Sequence, residues 1–114
     1  MPAITADQLP EVILGYLERR TSEDPASAAD LFTEDATVRD EGRTYTGREA
    51  IRSWILDGLT AYRYTVTFLS AEAGDGRYIV RNHLEGDFPG GTVDLAYGFR
   101  LADGETAIRE LTFA

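Results

Sequence analysis

Residues 92–101 read TVDLAYGFRL, and Val93, Leu95, Tyr97, Phe99 and Leu101 alternate there with Asp94, Ala96, Gly98 and Arg100. A period of two marks a strand with one face on a core and the other toward water. Turn-forming clusters bound the stretch, Pro89 to Gly91 before it and Asp103 to Gly104 after it, and short glycine-containing breaks join antiparallel neighbours. Upstream, Val80, Asn82 and Leu84 oppose Arg81, His83 and Glu85. Downstream, a strand from Ala107 to Phe113 has Leu111 and Phe113 on one face with Arg109 in line. Another turn, Gly74 to Gly76, precedes these strands and follows one in which Tyr62, Tyr64, Val66 and Phe68 share a face. The second half of the chain therefore reads as a four-strand meander.

The first half changes period. Leu9, Val12, Ile13, Tyr16 and Leu17 fall at helical spacing, with Thr5 as the expected N-cap and Pro10 in the first turn. The pattern stops before Asp24 and Pro25, and a short second helix carries Ala28, Ala29, Leu31 and Phe32, capped by Ser27 or Asp24. From Ala36 a strand places Ala36, Val38 and Asp40 on one side, which sets a carboxylate on the apolar face. Gly42 turns the chain, and a third helix from Arg48 to Gly58 presents Ala50, Ile51, Trp54 and Ile55, with Gly58 as its expected stop. Helices set ahead of an antiparallel sheet define the α+β class.

The 114 residues suit one domain, 1–114, large enough for a real core. With 43% hydrophobic and 27% charged residues the composition is globular, not disordered. Twenty acidic residues against eleven Lys and Arg give a charge of −9, which repels polyanions and argues against nucleic acid or an anionic membrane as partner. The absence of cysteine excludes disulfides and thiolate metal sites. No apolar leader or long apolar run is present, so a cytoplasmic location is expected. No phosphate-binding glycine loop, GxSxG, HExxH or EF-hand pattern occurs, and His83, the only histidine, falls on the outer face, so no metal or cofactor is expected.

The element order, with LFTEDATVRDEG at 31–42, YTGREAI at 45–51 and FPGG at 88–91, resembles the nuclear transport factor 2-like superfamily, in its SnoaL-like polyketide cyclase and ketosteroid isomerase branches. The resemblance implies a cone: a curved, mixed or antiparallel sheet wrapped by three N-terminal helices around one pocket. It also implies a homodimer through the outer sheet face, where Arg81, His83, Glu85, Asp94 and Arg100 stand; Asp94 and Arg100 are expected in cross-strand pairs. In the isomerase pattern a helix tyrosine and a protonated aspartate donate to a dienolate oxygen while a second aspartate moves the proton. Tyr16 matches the helix tyrosine and Asp40 the base; Tyr97 stands at the position of the protonated aspartate, which changes the second donor without deleting it.

Asp40, facing a pocket lined by aromatics, loses hydration, which favours its neutral form and suits it to accept a proton. Tyrosine hydroxyls at 16 and 97 aimed at one oxygen would each stabilise a developing oxyanion by about 3 kcal/mol. The candidate pocket wall is Phe32, Val38, Trp54, Val80, Asn82, Leu84, Phe99, Leu111 and Phe113. Asn82, pointing inward, either orients a ligand or satisfies a backbone group. Each of these residues has a purely structural reading as well, since inward aspartates, stripe tyrosines and strand aromatics all serve cores. Two functions therefore stay open. One is a small cofactor-independent enzyme performing isomerase, cyclase or hydrolase acid/base chemistry on an apolar metabolite, in the manner of a ketosteroid isomerase or polyketide cyclase; the other is a non-catalytic small-molecule-binding or dimerisation module.

Overall fold

The computed structural model describes residues 1–61 and 63–114. A two-residue strand, β1 (Ala3–Ile4), leads through a 3₁₀ turn at Ala6–Gln8 into α1 (Glu11–Arg20), and a 3₁₀ segment (Pro25–Leu31) follows. The hairpin β2 (Phe32–Asp40) and β3 (Arg43–Thr46) comes next, then α2 (Arg48–Ala61). The rest is β4 (Tyr64–Gly74), β5 (Arg77–Gly86), β6 (Thr92–Leu101), a 3₁₀ turn (Asp103–Glu105) and β7 (Ile108–Phe113). Among the described residues the strands form one seven-stranded sheet, ordered β1-β4-β5-β6-β7-β2-β3. The meander pairs antiparallel throughout, whereas β2 lies parallel to β7. The sheet is thus mixed and the α+β assignment stands.

Turn chemistry explains the hairpins. Asp75 and Gly76 sit between β4 and β5 with φ of 45° and 74°, the left-handed pair that a two-residue connection needs to match strand twist. The expected alternation holds in β6, where Tyr97, Phe99 and Leu101 are buried, and in β5, where Val80, Asn82 and Leu84 are. Ile13, Tyr16, Phe32, Val38, Ile51 and Ile55 bring the helices and β2 into the same core. The Tyr16 ring meets Phe32 and Phe99 edge-on, at centroid distances of 5.7 and 5.6 Å, a geometry that matches positive ring edge to negative face. Among the described residues no helix is long and apolar enough to cross a membrane.

Several boundaries differ from expectation. Thr5 belongs to the 3₁₀ turn, where its N–H donates to Gln8 Oε1 at 2.9 Å, and α1 begins one step later with Pro10 as its N-cap. The second helix is 3₁₀ in form, and Phe32 opens β2 four residues ahead of Ala36. A register shift between Phe32 and Thr37 breaks the alternation there, which hides that start. Gly58 does not stop α2, because its φ is not left-handed and the helix continues to Ala61. Arg109 is exposed and out of line with Leu111: Arg100 pairs with Glu110 but Leu101 with Ile108, so Arg109 is the extra residue of a bulge. A second bulge at Leu69 re-phases β4, so Tyr64 and Val66 are half-buried, Phe68 is exposed, and Ala71 is the buried residue beyond. Tyr62, expected on the Tyr64 face, lies outside the described residues.

Candidate active site

A cavity of about 770 Å³ lies between the sheet and the helices, a size suited to a metabolite of a few fused rings. The end of β2 supplies Asp40, α2 supplies Trp54 and Asp57, and α1 contributes Arg20 from its last turn. From the sheet come Tyr64, Leu84, Val93, Leu95, Tyr97 and Phe113. The apolar wall is continuous with an aromatic chain in which Tyr45 meets Trp54, Trp54 meets Phe113, and Phe113 meets Tyr97 at 6.1, 5.8 and 4.9 Å between centroids.

Of the expected site residues, the cavity brings together Asp40, Tyr97, Trp54, Leu84 and Phe113. Phe32, Val38, Val80, Asn82, Phe99 and Leu111 are buried beneath its wall in the core. Tyr16 is also fully buried behind the wall, and its hydroxyl accepts a 2.7 Å hydrogen bond from Arg20 Nη1. Burial pushes the Tyr16 hydroxyl above the ordinary phenol range, the nearby Arg20 charge opposing without offsetting it. Tyr97 is likewise held above that range by burial, with the Arg20 charge pulling the other way. Both phenols therefore stay protonated at neutral pH and can donate. Asn82 is buried and its Nδ2 has no hydrogen-bond partner.

Asp40 is half-buried, and its Oδ2 accepts a 3.0 Å hydrogen bond from Trp54 Nε1. The indole N–H is donor-only, so this contact fixes the orientation of the carboxylate. Arg20, absent from the expected site, spans the same indole: its guanidinium carbon stands 5.0 Å above the Trp54 ring and 5.7 Å from that of Tyr16. Its Nη2 also reaches the Tyr64 hydroxyl at 3.3 Å. A sequence signal for Arg20 did exist, since it lies four residues after Tyr16 and continues the inward stripe of α1. Chemically, the cavity offers a held carboxylate, a neutral phenol and a guanidinium around an apolar floor. That set can move a proton and receive the resulting negative charge.

On the outer sheet face, His83 sits opposite Asp94 in the β5–β6 register; its Nδ1 lies 2.6 Å from Asp94 and its Nε2 3.1 Å from Glu85. Those two carboxylates raise the imidazole above its ordinary range. The same face pairs Arg81 with Glu72. Asp94 thus joins a cross-strand pair as expected, whereas Arg100 stands opposite Arg77 on one side and Glu110 on the other.

Residues 13–110 match the model of the SnoaL-like domain, and the chain belongs to that family. The structure is similar to that of a candidate polyketide cyclase from Sinorhizobium meliloti, at 29% identity over 97% of this chain and 100% of that one, with a TM-score of 0.88. It also resembles a protein with a ketosteroid isomerase-like fold from Catenulispora acidiphila, solved with trimethylamine: 23% identity, 94% and 86% of the two chains, TM-score 0.82. A third likeness is to SalBIII, an epoxide hydrolase/cyclase-like enzyme of pyran ring formation in salinomycin, at 22% identity, 90% and 86% coverage and a TM-score of 0.76. The last two likenesses concern the fold. Among curated proteins none matches the chain significantly.

Proposed function

We propose that the chain is a small cofactor-independent enzyme that performs isomerase- or cyclase-type acid/base chemistry on an apolar, carbonyl-bearing molecule. The observation that carries this reading is that Asp40 and Tyr97 line one cavity, with Asp40 oriented by Trp54. Asp40 acts as the base, taking a proton from carbon, and Tyr97 donates to the oxygen on which the charge collects. Tyr16, expected as the second donor, is buried behind the wall and holds Arg20 in place instead. The family membership and the likeness to a candidate polyketide cyclase support the class of chemistry.

Hydrogen–deuterium exchange at the carbon next to the carbonyl of a bicyclic ketone such as 2-tetralone tests the proposal. The protein should accelerate exchange, Asp40→Asn should lower the rate by about 10²-fold or more, and Tyr97→Phe by about 10²-fold. An unaccelerated wild type, or an undiminished Asp40→Asn variant, sinks it. The competing reading, a binding module, draws on Asp40 being already engaged by Trp54; it requires ligand-induced stabilisation that survives Asp40→Asn with no turnover in either protein. In both readings two copies meet through the outer sheet face, which sedimentation at low and high salt would reveal as a salt-sensitive dimer.

A further inference from the structure

Resting on the reading of this cavity as the substrate site, we infer that Arg20 anchors a carboxylate, so that the substrate is an apolar ring system carrying an acid group. Arginine is a permanently charged, planar fork of five N–H donors. Two of those donors are directed at neutral phenols, Tyr16 and Tyr64. The Nε atom is sealed from solvent and has no hydrogen-bond partner. Among the described residues no carboxylate lies within ion-pairing distance of Arg20, although Arg52 and Arg81 each pair with an acid on the surface. Asp40, Glu41 and Asp57 line the same cavity, yet no ion pair joins an acid to Arg20 among the described residues, and a largely buried guanidinium without a directly bonded acid is costly.

The arginine is also held in place. Trp54 lies beneath the guanidinium, Tyr16 lies beside it, and two hydroxyls fix its in-plane rotation. A fork fixed in this way binds a planar carboxylate with little further loss of freedom. The remaining wall is apolar at Leu84, Leu95 and Phe113, and Asp40 is bonded to the nitrogen of the same indole. An acid seated on Arg20 can lay its ring against that apolar wall.

The probe pair is 2-naphthoate and 2-naphthamide, equal in shape and different in charge, titrated into the intact protein by calorimetry. The acid should bind at least about tenfold more tightly than the amide, the value of a charge-assisted over a neutral hydrogen bond. The preference should fall with salt and vanish in Arg20→Gln. In protein labelled with ¹⁵N-arginine, the Arg20 Nε–H resonance should shift with the acid and stay put with the amide. Equal affinity, no binding of either probe, or a preference that persists in Arg20→Gln overturns the assignment. If Arg20→Gln does not fold, an Nε–H resonance unmoved by saturating naphthoate overturns it in the wild type. A wild type that shows no acid preference but retains Asp40-dependent exchange removes the anchor alone; a wild type with the preference and no such exchange removes the catalytic reading alone.

Discussion

Trp54 and Asp40, one on α2 and the other at the end of β2, are joined by a 3.0 Å hydrogen bond from the indole Nε1 to the carboxylate Oδ2. The bond ties helix to sheet at the cavity wall and holds the proposed base in one direction. Trp54→Phe should lower stability by about 1–3 kcal/mol in urea unfolding, the range for leaving a charged partner short of one donor. In an Asp40→Ala background the same change should cost less, because neighbours that share a bond are not additive. Strict additivity would mean that the bond contributes nothing.

The two phenols that hold Arg20 should differ in weight. The bond to the fully buried Tyr16 is 2.7 Å long, whereas the contact to the half-buried Tyr64 is 3.3 Å. Tyr16→Phe should therefore destabilise by about 1–3 kcal/mol, and Tyr64→Phe by less. Unfolding midpoints in the opposite order would place the anchor of the arginine on the sheet instead of the helix.

Alkaline titration should single out three tyrosines. Burial raises Tyr16 and Tyr97, while Tyr78 is pushed up to about 12, chiefly by its hydrogen bond to Glu105 and secondarily by burial. Each raised value favours the folded state below the ordinary phenol range near 10, and that contribution is lost as pH climbs through the folded values. Carbon NMR of labelled tyrosine should find these three still protonated at pH 11. Ionisation of Tyr97 below 10 would show that its hydroxyl is hydrated.

His83 titrates in the opposite region and follows the same sign rule. The hydrogen bonds that His83 donates to Asp94 and then to Glu85 raise its folded value, so its contribution to stability is fully present below about 6.5 and lost as pH rises through the raised value. Proton NMR should place the His83 midpoint above 6.5, and Asp94→Asn should bring it down. A midpoint that does not respond to Asp94→Asn would mean that the 2.6 Å contact does not persist in solution.

Residues such as Phe99 and Val80 could be placed from sequence because strict alternation allows one inward face, and that face was greasy in β5 and β6 alike. Asp40 was legible for the same reason. Arg109 was not, because a bulge adds a residue without any mark in the local pattern. Phe32 was misassigned to a helix because the short 3₁₀ segment and the irregular first half of β2 carry neither period cleanly. Arg20 escaped for a different reason. Pattern reading sends arginine to solvent, and besides Tyr16 one turn earlier the groups that turn it inward, Trp54, Tyr64 and Tyr97, are distant in sequence. Tyr16 was correctly set on the inward face, yet that face belongs to the core and the arginine reaches the cavity in its place.

The parallel pairing of β2 with β7 gives translation an order of events. The helices and the β2–β3 hairpin emerge early, but the inner edge of β2 has no neighbour until the final strand has left the ribosome and slotted in beside β6. Closing so long a loop is slow. Until then the nascent chain carries an unzipped sheet edge beside an exposed apolar surface, the state in which a holding chaperone would have most to do.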